Sequence, residues 1–253
     1  MDSEQSKIQA LEKELEELRK EKKTLVSIVS HDLKSPFNRV FALTSLMQMT
    51  DDNLNAEQKE YMGKMHQVVK DGLALIKNLL DVRSLENNGI AQEMNEIDIV
   101  HLVKKQMKAI KPLADIKKIK LKFHSDDEHV TVTSDKQYLS RIIDNLLSNA
   151  LKFSELETSI EVSVLTNPTC FKIGVRDYGP GISQKDQELM YQKYQKLTAL
   201  PTDGESATGL GLFITKALVE LLNGEIKCNS EVGKGTEFIV EIPINNQSKS
   251  SKK

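Results

Sequence analysis

The chain has 253 residues, enough for one large domain or two ordinary ones with a substantial core. Lys and Arg (35) nearly balance Asp and Glu (37), and the formal net charge of -2 argues against bulk attraction to nucleic acid or to an anionic membrane surface. No apolar run approaches bilayer length and Met1-Asp2-Ser3-Glu4 opens an acidic polar stretch unlike a signal peptide, so a soluble, cytoplasmic chain is expected.

The first predicted element is a long helix from about Lys7 to about Met49. Ile8, Leu11, Leu15, Leu18, Leu25 and Val29 keep alternating steps of three and four with only Lys22 interrupting, which is coiled-coil spacing. His31 falls off that apolar seam, inside Ser30-His31-Asp32-Leu33-Lys34-Ser35-Pro36. An imidazole held off the packing face can meet a second domain, and its near-neutral pKa leaves one nitrogen unprotonated as a nucleophile. Asp32 can accept the proton of the other ring nitrogen. Pro36 lacks an N–H and predicts a bend one turn later. By itself this pattern reads first as a surface histidine on a solvated helix.

Turn formers at Thr50–Asn55 end the first helix, and Tyr61, Met65, Val68, Gly72, Leu75, Leu79 and Val82 predict a second, with Val69, Ile76 and Leu80 widening its stripe. A hairpin of two such helices cannot cover both of its apolar faces, so a homodimer forming a four-helix bundle is expected. The pattern stops near Glu86-Asn87-Asn88-Gly89, a predicted hinge. Beyond Ile97 helices and strands alternate. Helices are predicted over Ile99 to about Lys117, with Pro112 as a limit or kink, over Asp135–Phe153 and over Gly209–Leu222. Strands are predicted at Ile119–Phe123, Val130–Val132, Ile160–Val164, Phe171–Val175, Glu225–Cys228 and Glu237–Ile242. Helices over one face of a mixed sheet make a two-layer α/β sandwich. Cys170 and Cys228 lie far apart in strand patterns without metal-ligand spacing and read as small core residues of a reducing compartment. The tail from Asn245 is too poor in apolar residues to order itself.

Three stretches of this second half carry chemistry. Asn145 and Asn149 sit one turn apart mid-helix with Lys152 on the same face, a set that suits Mg²⁺ and phosphate, a solvated polar face being the other reading. Asp177-Tyr178-Gly179-Pro180-Gly181-Ile182 predicts a tight turn that brings backbone close to a flat ligand, with Asp177 placed to accept from an exocyclic amine such as adenine N6. The same spacing is also a common surface turn. Thr208-Gly209-Leu210-Gly211-Leu212 opens a helix whose free N–H groups cradle phosphate, after a polar segment, Thr198–Ser206, that reads as a mobile lid. Gly233-Lys234-Gly235-Thr236 makes a last tight turn.

Taken in order, these motifs resemble the catalytic core of a sensor histidine kinase of a two-component system, over about Leu18 to Ile244. The resemblance implies an α + α/β fold: a coiled-coil signalling helix (1–24), a dimerisation and histidine-phosphotransfer helical hairpin (25–90), an ATP-binding domain shared with gyrase and MutL (91–245) and a disordered tail (246–253). It implies ATP-dependent autophosphorylation of His31, assisted by Asp32, and transfer to an aspartate of a response regulator receiver domain. It assigns nucleotide contacts to Asn145, Asn149, Lys152, Phe153, Asp177, Gly179, Gly181, Thr208, Gly209, Leu210, Gly211 and Leu212, and Mg²⁺ to Asn149 and Asn145. Where gyrase-type relatives carry a water-activating glutamate this chain has Asn145, which suits transfer to a protein nucleophile rather than hydrolysis. At Ser35 the family often has Thr or Asn, linked to water-mediated dephosphorylation of the partner; serine keeps a hydroxyl that can bond water. Ala207 stands where a first glycine is usual, and Tyr191 and Tyr194 where phenylalanines commonly precede the lid, with their packing role expected to persist. The alternatives are a dimeric signalling scaffold whose ATP site gates conformation without chemistry, and a gyrase-type ATPase.

Overall fold

The computed structural model describes residues 13, 32–47, 49, 54–86, 92–202 and 208–244. His31, the seam positions Ile8, Leu11, Leu15, Leu18, Leu25 and Val29, the hinge residues Asn87–Gly89, Asp203–Ala207 and the tail from Asn245 lie outside the described residues. The chain divides into two compact units, Met1–Gly89 and Ile90–Lys253.

In the first unit, residues 32–47 form helix α1, helical through Pro36, and Ala56–Glu86 form α2. Asn55 and Gln58 start α2 reciprocally: the Gln58 N–H donates to Asn55 Oδ1 at 2.8 Å and the Asn55 N–H to Gln58 Oε1 at 3.0 Å, satisfying donors that the first turn leaves without helical partners. Met62, Val69, Ile76 and Val82 are buried. Gly72 admits the Phe37 ring, whose Cε1 lies 2.2 Å from where a Cβ would stand. Phe41 stacks on His66 with ring centroids 4.6 Å apart. The positions that set the main sequence stripe, Tyr61, Met65, Val68 and Leu75, instead remain exposed, as do Leu43 and Leu46 of α1. The hairpin therefore closes on the flanking Val69 and Ile76 together with Met62 and Val82, and leaves a second apolar face outside.

The second unit contains β1 (Met94–Asp98), α3 (Ile99–Ile116), β2 (Lys120–Ser125), β3 (Thr131–Asp135), α4 (Lys136–Phe153), β4 (Ser159–Thr166), β5 (Cys170–Asp177), α5 (Gln184–Leu189), α6 (Gly211–Leu221), β6 (Glu225–Glu231) and β7 (Gly235–Pro243). The main sheet has five strands in the order β2-β4-β5-β7-β6, parallel only between β2 and β4. Its strands alternate as half-buried elements should: Ile160, Val162 and Val164 of β4 and Phe238, Val240 and Ile242 of β7 face inward. Against them pack Leu139, Ile142, Ile143, Leu146 and Leu147 of α4, Ile99 and Val103 of α3 and Ile214 of α6, all essentially inaccessible to water. Pro112 is accommodated inside α3. The main departures from the sequence expectation are β1, α5 and the place of β3, which leaves the main sheet to pair antiparallel with β1, Ile97 opposite Val132.

Candidate active site

Helix α4 is the frame of the site. Asp135 caps it, Oδ1 accepting from the Gln137 and Tyr138 N–H groups at 2.8 and 3.0 Å. Its polar face, Asp144, Asn145, Ser148, Asn149 and Lys152, is half-buried rather than solvated. Asn145 Nδ2 donates to the Gly211 carbonyl and to Thr215 Oγ1, each at 3.3 Å. A carbonyl can only accept, so this contact orients the amide and leaves Oδ1 as the oxygen available to a ligand. One turn later Asn149, and then Phe153, line a cleft closed by Asp177, Pro180, Gly181, Ile182, Leu197, Ala199, Leu212, Thr236 and Phe238.

Asp177 ends β5, opposite Thr236 of β7. Its Oδ1 accepts from the Gly179 N–H at 2.9 Å and the Thr236 N–H at 3.2 Å, which leaves Oδ2 for a ligand in the cleft. Burial pushes its carboxyl up to about 6, against the pull of those two N–H donors. The backbone around it is too close for side chains: a Cβ on Gly179 would lie 2.3 Å from the Phe153 carbonyl oxygen, and one on Gly235, at φ +94, 2.1 Å from that of Asp177. The turn is sewn to the β6–β7 hairpin through Gly233 N–H to Pro180 O and Ile182 N–H to Ser230 Oγ, both 2.8 Å.

At the start of α6 no side chain among the described residues caps the helix, which suits its first N–H groups to an anion. Gly209 reaches it at φ +67, under the Gln195 carbonyl, and a Cβ on Gly211 would meet nothing within 4 Å. Thr208 Oγ1 accepts from the Leu210 N–H at 3.3 Å, and the Leu210 side chain is wholly buried, anchoring the turn rather than facing the cleft. Of the residues anticipated from sequence, Asn149, Phe153, Asp177, Gly181 and Leu212 thus line one cleft, with Asn145, Gly179, Gly209 and Gly211 supporting it. Lys152 stands outside that lining on the last turn of α4. In the other unit Asp32 and Ser35 are exposed on α1.

Sequence reasoning missed Leu197 and Phe238 in the cleft, had Pro180 and Ile182 only as members of the turn and Ala199 only as part of the lid segment, and treated Thr236 as a hairpin residue only. The alternation that turns Thr236 and Phe238 to the same side of β7 was the available signal. Tyr191 is half-buried under the Lys216 ammonium, 5.1 Å from the ring centroid, and Tyr194 is exposed at φ +62.

The donor set fits a hard cation shared with a phosphate ligand. Asn149 and the oriented Asn145 supply neutral oxygens, and no group of three or more His, Cys, Asp or Glu forms a protein-only cage among the described residues.

Residues 134–246 match the family model described as histidine kinase-, DNA gyrase B- and HSP90-like ATPase, and residues 21–88 match the His Kinase A (phospho-acceptor) domain. The chain is similar to the autoinducer 2 sensor kinase/phosphatase LuxQ of Vibrio cholerae, 29% identical over 93% of this chain and 28% of that protein. It is likewise similar to the circadian input-output histidine kinase CikA of Synechococcus elongatus, 31% identical over 86% of this chain and 29% of that protein. It thus spans less than a third of these relatives. Among solved structures, full-length ShkA in complex with AMPPNP aligns with a TM-score of 0.68 at 25% identity, over 87% of this chain and 45% of that one. The histidine kinase AdeS of Acinetobacter baumannii shares the fold, with a TM-score of 0.59 at 20% identity over 85% of this chain and 98% of that one. A phospho-acceptor domain followed by an ATPase domain of this type, in a chain with sensor-kinase relatives, makes this protein a member of the histidine kinases, built as their catalytic core.

Proposed function

We propose that the chain moves the terminal phosphoryl group of ATP to His31 and from there to an aspartate of a response regulator receiver domain, in the cytoplasm where ATP is held. The observation that carries this reading is the single cleft into which Asn149, Asp177 and Leu212, from three separate motifs, converge beside the uncapped N-terminus of α6. Oδ2 of Asp177 would accept from the adenine amine, Phe153 and Ile182 would flank the base, and the first N–H groups of α6 would hold the phosphates. Asn149 and Asn145 would hold Mg²⁺, which when bound neutralises phosphate charge. Phosphoryl transfer is mostly a matter of such positioning and electrostatics. On the acceptor side Asp32 would take the proton of the non-attacking imidazole nitrogen, and Ser35 would orient water for dephosphorylation of the partner. Residues 25–90 would be the dimerisation and phosphotransfer domain behind a coiled coil (1–24), and residues 91–245 the nucleotide domain. The exposed apolar residues Leu43, Leu46, Met65 and Val68 support a homodimer joined as a four-helix bundle.

Incubation with γ-labelled ATP tests the reading. An acid-labile, base-stable label is expected on the parent chain and not on His31→Gln or Asn149→Asp. A label that persists in His31→Gln would move the acceptor elsewhere. Nucleotide binding with no label would favour the gated scaffold, and steady phosphate release in excess of phosphoprotein the ATPase.

A further inference from the structure

Lys117 takes no part in the chemistry above, yet it is only 4% exposed. A buried ammonium is kept only where oxygen acceptors replace its hydration. It stands at the C-terminal end of α3 and crosses to the last turn of α4, donating from Nζ to the Leu151 carbonyl at 3.0 Å and to Thr202 Oγ1 at 2.8 Å. The end of α4 carries the negative pole of its dipole, which favours a cation there.

Thr202 completes the knot. Its N–H donates to the Lys152 carbonyl at 3.0 Å, and its hydroxyl lies 3.1 Å from both the Lys152 and Ser154 carbonyls. The hydroxyl thus accepts from Lys117 and donates to the end of α4, a relay that needs both an acceptor and a donor on one oxygen. Four residues earlier, the Thr198 N–H donates to Asp186 Oδ2 at 3.2 Å, and the Thr198 hydroxyl donates to the same oxygen. Ala199 lies between these two ties and Leu197 beside the first, and both line the cleft. The wall of the cleft is therefore strapped at one end to α5 and at the other to the helix that carries Asn145 and Asn149.

We propose that Lys117 and Thr202 form a latch that holds Leu197–Thr202 on the last turn of α4 and so sets how tightly the cleft retains its nucleotide. Both are positioning residues: they act through Leu197 and Ala199. The effect on affinity rests on the nucleotide reading above, whereas the latch itself can be read without any ligand.

The test uses the full chain as Thr202→Val, Thr202→Ser and Lys117→Met. In nucleotide-free protein, Thr202→Val and Lys117→Met should speed amide exchange over Leu197–Thr202 at least tenfold, with Thr202→Ser matching the parent. The dissociation constant for ADP with Mg²⁺ should rise fivefold or more in the first two variants, while the rate of label formation at saturating ATP stays within twofold. Unchanged exchange in Thr202→Val overturns the latch, as does faster exchange spread evenly over α3 and α4, which would make the pair a general support of the fold. If Lys117→Met does not fold, Thr202→Val, nearly isosteric and at an exposed position, decides the question. A parent chain that binds no ADP would overturn the nucleotide reading and the affinity effect, and exchange would still decide whether the latch exists.

Discussion

Asp177 shows how one side chain couples recognition to stability. Its carboxyl titrates near 6 in the folded chain against 3.8 for an ordinary aspartate, because burial penalises the ionised form. Between those values the folded state holds a proton that the unfolded chain has released, so this contribution is full below the unfolded value and is lost as pH rises through about 6. The difference corresponds to about 3 kcal/mol. Asp177→Asn cannot titrate, so its stability relative to the parent should improve by about 3 kcal/mol between acid and neutral pH, measured by denaturant melts across that range. Its nucleotide affinity should fall, since an amide presents a donor to the adenine amine. In the parent, affinity should weaken as pH drops through about 6, as Oδ2 takes up its proton.

The elements around this residue owe their form to local rules that sequence displays openly. Helix α4 separates its faces cleanly, and Leu146 lies on the buried one. Leu146→Ala should cost about 2–5 kcal/mol in chemical denaturation, from lost transfer energy and the cavity left behind. Ser148→Ala, on the half-buried polar face, should cost less than about 1 kcal/mol. Strands β4 and β5 were equally legible from their apolar alternation. Strand β1 was not, since of Met94-Asn95-Glu96-Ile97-Asp98 only Ile97 is buried and a single apolar position displays no period. Helix α5 spans six residues, too short for a helical stripe, though Ser183 accepting from the Asp186 N–H at 3.2 Å marks its start. The site was legible as motifs and not as a cleft: Asn149, Asp177 and Leu212 could be named from sequence, while Leu197 and Ala199 line the cleft beside the ties at Thr198 and Thr202, which no local pattern displays.

At the scale of the molecule, each unit should show its own behaviour. Unit Ile90–Lys253 has a continuous apolar core between its sheet and its helices. Expressed alone, it should unfold in one cooperative transition and bind ADP while forming no phosphohistidine, as checked by calorimetry and labelling. The helical unit leaves Val68 67% exposed on α2. If that face joins two copies, Val68→Glu should convert a dimer into a monomer in light scattering, because the dimer would have to bury an unpaired carboxylate. A mass unchanged by the substitution would place the dimer contact elsewhere.

The sequence by itself determined the period of the long helices and of most strands, the breaks that start α2 after Asn55 and α4 at Asp135, and the glycine-bearing turns between elements. These are local constraints, each set by a few neighbouring residues and therefore visible in the pattern. Tertiary structure alone decided that β3 leaves the main sheet for β1, that Thr236 stands opposite Asp177 at a separation of 59 residues, and that the Gly211 carbonyl orients the amide of Asn145. Periodicity tells which face of an element is apolar. It does not tell what that face meets, because pairing between distant segments is settled by the closure of each unit around its own core.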